Sequence, residues 1–135
     1  MALPHPSKRT LAFALVALSG CTSGAQNLQS ARSQCASNPA GHVEVYVPRA
    51  RVVDVLGERS GRSGVHEGFV VSAGADTYKV EDNVDITGPV PLQRGDAVSL
   101  LGQFECDDGV IHWTHHDPRG RHPSGYIEVN GKLYE

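Results

Sequence analysis

No run of apolar residues in this 135-residue chain is long enough to cross a bilayer, a task that takes roughly 20 of them in a helix. After Gly41 no helical periodicity lasts beyond a turn or two, which excludes a helical bundle. The three cysteines, Cys21, Cys35 and Cys106, contain no CxxC pair or other metal-type spacing, so the usual cysteine zinc site is missing. GxSxG and HExxH are missing too, which removes the best-known hydrolase elbow and metalloprotease signatures. Positive charge is in short supply, with 12 Lys and Arg against 15 Asp and Glu. That balance speaks against non-specific binding of nucleic acid, which depends on cations. The length suffices for one domain, not two.

The N-terminus has the three parts of a secretory signal. Lys8 and Arg9 are basic, Leu11–Leu18 is apolar, and Ser19 and Gly20 are small residues ahead of a cleavage point. Leu18-Ser19-Gly20-Cys21 resembles the lipobox of bacterial lipoproteins. The resemblance implies cleavage before Cys21, acylation (palmitate among the acyl chains) of Cys21 and attachment to a membrane. Thr22 follows the cysteine, where Asp often signals retention in the inner membrane. The expected address is therefore the cell envelope, on an outer membrane and facing the periplasm. Without the two cations of residues 1–20, the net charge moves from −3 to −5. An oxidising compartment favours a disulfide between the remaining Cys35 and Cys106, two separate thiols being the alternative.

Residues 21–40 are rich in Ser, Ala, Gln and Asn and read as a lipidated flexible tether, with at most a short helix around Leu28–Cys35. Residues 41–135 read as an all-β domain. Strands are expected at 42–47 and 49–56, separated by Pro48, then at 65–73, 77–86, 97–106 and 110–116. Gly57–Gly64 reads as a flexible turn, Gly102 as a bulge or bend, and Asp107-Asp108-Gly109 as a hairpin turn. Five or so short strands in under 100 residues predict a small OB-like barrel, and the Gly95-Asp96-Ala97-Val98 segment resembles the fourth strand of such barrels. An SH3-like barrel or an open β-roll is the alternative.

Histidines carry the chemistry. Four fall within eleven residues: His112, His115, His116 and His122. A straight strand would put His112 and His116 about 13 Å apart, but Asp117-Pro118 suggests a bend that lets His116, Asp117 and His122 converge. Imidazoles with a carboxylate suit Zn or another divalent transition metal. His66 and His42 are further donors on other strands. The same cluster also fits a hydrogen-bonded structural network, or a catalytic histidine. Trp113 reads as a core or rim anchor, and Arg121 with Arg119 as grips for a carboxylate or phosphate, or as solvated surface.

The segment from Gly109 to His122 (GVIHWTHHDPRGRH), with Gly125-Tyr126-Ile127 and Asn130-Gly131-Lys132-Leu133-Tyr134, resembles the C-terminal signature of a family of small exported bacterial proteins, domain of unknown function 3465. His66 with Phe69, Asn83-Val84-Asp85 and Gly95-Asp96 match its earlier features. The resemblance covers about residues 48–135 and departs at Cys106 and at the 57–64 loop. It implies one compact domain and no particular activity. On this reading His66, Asn83, Asp85, Trp113 and Arg121 are candidate ligand contacts, while His112, His115, His116, Asp117 and His122 are candidate metal ligands. The expectation is an envelope-anchored binding module for a small ligand, a metal or an envelope protein. The alternatives are a metal-dependent hydrolase, such as a phosphodiesterase or nuclease, and an accessory factor whose histidines are structural.

Overall fold

The computed structural model describes residues 27–135. The expected signal peptide, the lipidated Cys21 and the first part of the tether lie outside those residues. Among the described residues no helix is long and apolar enough to cross a membrane.

The chain runs α1 (Leu28–Ser37), β1 (His42–Gly61), β2 (Gly64–Ala73), β3 (Asp76–Asn83), the single turn α2 (Val84–Thr87), β4 (Ala97–Glu105), β5 (Val110–His112), β6 (Tyr126–Val129) and β7 (Lys132–Tyr134). Five strands close a ring in the order β1-β2-β3-β5-β4 and back to β1. All pairs are antiparallel except β3–β5, which is parallel and only two residues long. The mostly β architecture read from the sequence is therefore present, in a seven-stranded sheet. The two extra strands, β6 and β7, form a hairpin on the edge of β4. Asn130 (φ 50°) and Gly131 (φ 83°) make its turn, the left-handed pair that a two-residue hairpin needs.

The two strands expected on either side of Pro48 are one strand of 20 residues. Three residues from Val47 to Ala50 face two from Leu100 to Val98, so an extra residue is inserted. Arg49 absorbs it in the left-handed region, at φ 54°. The bulge flips the inward set. Val45 and Val47 point into the ring before it, Ala50 and Val52 after it, and all four are at most 3% exposed. The bent strand can thus pair with β4 over its first half and with β2 over its second. Gly57–Gly61, expected as a flexible turn, continues this pairing down to Gly61↔Gly64.

Inside the ring lie Phe69, Val71, Val80, Leu100, Ile111 and Ile127, each fully buried. Each such side chain contributes on the order of 1.5–3 kcal/mol. One end of the ring is plugged by α1. Asn27 caps the helix by accepting from Ser30 N at 2.9 Å, and Leu28 and Ala31 join the core. Arg32 lies over the Tyr78 ring at 4.7 Å and pairs with Asp76 at 3.2 Å. From Leu28 onward, the segment expected as tether is therefore part of the fold. Its composition hid this because only two of its side chains are buried. The Cys35–Cys106 disulfide ties α1 to the turn after β4, across 71 residues of sequence. The opposite end is closed by the loop after α2, whose Val90 is buried and donates its N–H to Glu67 Oε1 at 2.9 Å.

A loop of this size gives a cross-link worth about 4 kcal/mol by chain entropy. The Cys35→Ala/Cys106→Ala double variant is accordingly expected to unfold at a clearly lower urea midpoint than the parent. An unchanged midpoint would show that α1 contributes nothing through its tie.

Candidate functional site

The outer faces of β2, β3 and β5 carry the side chains that the ring excludes. Along β3, Tyr78, Val80 and Asp82 point in, while Lys79, Glu81 and Asn83 point out. His66 on β2 stands opposite Asn83, and His112 ends β5 beside them. Above this floor, the β1–β2 hairpin forms one wall and residues 113–122 form the other. Between them is a cleft of about 1050 Å3.

The hairpin wall is fastened at its tip. Asn83 Nδ2 donates to Ser63 O at 2.9 Å, and Val65 N donates to Asp85 Oδ2 at 2.9 Å. Asn83 Oδ1 also accepts from Asp85 N at 3.1 Å, capping α2. Asn83 and Asp85, expected as ligand contacts, are thus spent on bracing the hairpin, although both border the cleft. A side chain at residue 64 would collide with the Asp85 carboxylate, so Gly64 is what admits this brace. His66 Nδ1 lies 3.2 Å from Gly64 O and its Nε2 3.2 Å from Ser63 Oγ. A carbonyl only accepts, so Nδ1–H donates to it and the Ser63 hydroxyl donates to Nε2.

The second wall departs from the expected strand. β5 stops at His112, because Trp113 turns into the left-handed region at φ 56°. The alternation that would have placed His112, Thr114 and His116 on one face is broken there. The chain then passes through a gap made by two glycines. A Cβ at Gly102 would come within 2.7 Å of His112 O, and one at Gly125 would collide with Trp113 O and Leu101 O. Gly102, expected as a bulge or bend, pairs in regular register with Val45, and its role is this close approach. Thr114, fully buried, donates to Asp82 Oδ1 at 2.8 Å. Gly125 N donates to His115 O at 2.8 Å, and His115 Nδ1–H donates to His116 O at 2.7 Å.

Asp117 organises the rest. Its carboxylate accepts from the backbone N–H groups of Arg119 at 2.8 Å, His122 at 2.7 Å, and Arg121. Desolvation pushes its pKa up, but those three amides prevail and hold it at about 2. His122 is thereby laid flat on Trp113, with ring centroids 4.6 Å apart and planes 18° apart. His42 and His115 meet this pair edge-on, at 5.7 Å from Trp113 and 5.1 Å from His122.

The five expected metal ligands therefore have separate lives. His112 lies 3.5 Å from Asp108 and 3.9 Å from Glu81. His115 is buried near Asp82, His116 is exposed, and His122 stacks on Trp113 with Nε2 3.9 Å from Asp117. Only Asp117 and His122 come together as the sequence suggested. Among the described residues, no three His, Cys, Asp or Glu side chains are arranged around a common metal position.

Three acidic residues absent from the sequence-based expectations matter here. Glu81, on the floor, is 6% exposed and holds Arg59 at 2.5 Å and Lys79 at 2.6 Å. Burial raises its pKa, but these two cations outweigh it and bring it to about 2. Glu67 and Asp82 are cross-strand partners on the inward face, at the end of the ring under the cleft wall. Burial pushes Glu67 up to about 7, with the Val90 amide opposing and the Asp82 charge adding. Asp82 is raised by burial too, against hydrogen bonds from Thr87 and Thr114. An alternating strand that carries acids on both faces, as β3 does in Glu81 and Asp82, was the available signal.

The fold and cleft define a small β-ring protein with a polar pocket on its strand face. The chain belongs to the family described as Protein of unknown function (DUF3465), which it matches over residues 13–135. No curated protein and no solved structure matches it.

Two outcomes follow. Thr114→Val leaves Asp82 with one fewer donor inside the ring and is expected to cost about 1–3 kcal/mol in urea unfolding. Equal stability of parent and variant would remove the anchoring role. Glu67 binds its proton more tightly folded than unfolded, so its contribution is complete below pH 4.5 and fades as pH rises through about 7. Glu81 and Asp117 act oppositely, their contribution being lost only as pH falls towards about 2. Unfolding midpoints between pH 4.5 and 7 should therefore decline in the parent and decline less in Glu67→Gln, which keeps the Val90 contact and leaves the raised Asp82 in place. A parallel decline in both would refute the assignment.

Proposed function

We propose that this protein is an exported, lipid-anchored binding module that holds a small ligand in the cleft above β2 and β3. The observation that carries the reading is the cleft itself. Its volume, about 1050 Å3, is of the order that holds small molecules. Its floor is a rigid strand face, and both walls are braced by hydrogen bonds that leave the pocket preformed.

Catalysis has less support. Ser63 and His66 form a hydroxyl–imidazole pair at 3.2 Å, but the far nitrogen of His66 is tied to a carbonyl of its own turn. A nucleophile's base is instead oriented by a group that stabilises its positive charge. The metal-dependent hydrolase alternative needs converging ligands, and the described residues hold no such group.

Export and anchoring rest on the lipobox-like Leu18-Ser19-Gly20-Cys21. They agree with the Cys35–Cys106 disulfide, which belongs to oxidising compartments. The membrane is the first partner, through lipid on Cys21, and the proposed address is the periplasmic face of an outer membrane.

Intact-mass spectrometry of the membrane fraction is expected to find a chain that begins at acylated Cys21, and Cys21→Ala to release it from the membrane. A cytosolic chain retaining Met1 would overturn export. For binding, the single tryptophan, Trp113, borders the cleft and is a built-in reporter. Its emission is expected to respond to a cleft ligand in the parent and not in His66→Ala/His112→Ala. Silence towards a broad panel of neutral and charged small molecules would sink the binding role.

A further inference from the structure

The charges of the cleft narrow the ligand class, on the premise of the binding role proposed above. We infer that the ligand carries a phosphate monoester, gripped between Arg62 on the hairpin wall and Arg119 and Arg121 on the opposite wall.

The chain is acidic, at −3 overall, yet the cleft is not. Arg59, Arg62, Arg119 and Arg121 border it, against Glu81, Asp85 and Asp117. Four arginines against three carboxylates leave an excess of one positive charge before any histidine is protonated, and the rest of the chain then sums to −4. Each carboxylate already has donors. Glu81 has Arg59 and Lys79, Asp85 has Val65 N, and Asp117 has three backbone amides. Arg62, Arg119 and Arg121 are exposed, and among the described residues none of them forms an ion pair. Guanidinium forks match phosphate oxygens in pairs, and three arginines outside any ion pair suit a phosphate monoester, which carries about two negative charges. A space of about 1050 Å3 is far larger than a bare phosphate, so it has room for the organic part of an ester. The acidic remainder of the surface repels an extended polyanion, which favours a small ester over a nucleic-acid strand.

The test is calorimetric titration of the full chain with glucose 6-phosphate, AMP and inorganic phosphate, beside glucose, adenosine and glucuronate. Both esters are expected to bind and inorganic phosphate to compete, with glucose and adenosine inert. Arg119→Gln/Arg121→Gln should weaken ester binding at least about tenfold, and Arg62→Gln should act in the same direction from the other wall. Melting temperatures should not move, because these side chains are exposed. Failure of all three phosphates to bind, glucuronate binding as tightly as glucose 6-phosphate, or ester binding that survives the arginine variants would each overturn the inference. A neutral compound that binds in the cleft while the phosphates do not rejects the phosphate and leaves the binding module standing. No binding by any compound rejects both.

Discussion

The hydrogen bond from Thr114 to Asp82 joins the two halves of this molecule, the strand ring and the loop that turns the ring's outer face into a cleft. Asp82 is fully buried and also accepts from Thr87 at 2.5 Å. A buried carboxylate needs such donors, because an unpaired one would cost several kcal/mol. Two separate pieces of chain, α2 and the segment after β5, supply them. The same requirement that satisfies Asp82 therefore sets where the second wall starts. From there, Gly102 and Gly125 leave the space for the chain to cross, and Asp117 gathers the next five residues around its carboxylate.

One economy recurs in the site. Acidic side chains serve as internal struts and not as open ligands: Asp85 for the hairpin tip, Asp117 for the second wall, Glu81 for the floor. With the carboxylates occupied, the groups that remain presented to a ligand are arginines and imidazoles. An acidic chain thus carries a cationic pocket, a distribution that net charge alone conceals.

Much of the scaffold was legible in residue pattern. Alternation in Val43–Val47 and in Val98–Phe104, the Asp107–Gly109 turn and the lack of helical periodicity all follow from local preference and burial on one face. The hairpin at Asn130-Gly131 was equally readable by its turn chemistry, and the sequence reading did not assign it as strands. What resisted reading was non-local. Pro48-Arg49 resembles a strand break, and becomes a bulge only because β4 and β2 both demand the same strand. The tether-like composition of residues 28–37 hides a helix whose two buried side chains find a partner only once the ring has closed.

The histidine cluster marks the same boundary. By itself the sequence determined the membership of the family, the β character, and the concentration of histidines, Trp113 and arginines in one stretch, since these are properties of order and composition. Tertiary structure alone decided that His112 faces Glu81 across the sheet, that His122 stacks on Trp113, and that His115 sinks beside Asp82. The physical reason lies in one backbone angle. Trp113 enters the left-handed region, which ends the period of two. The next residue, Thr114, is held by Asp82, 32 residues away along the chain, and the segment passes where Gly102 and Gly125 leave room for it.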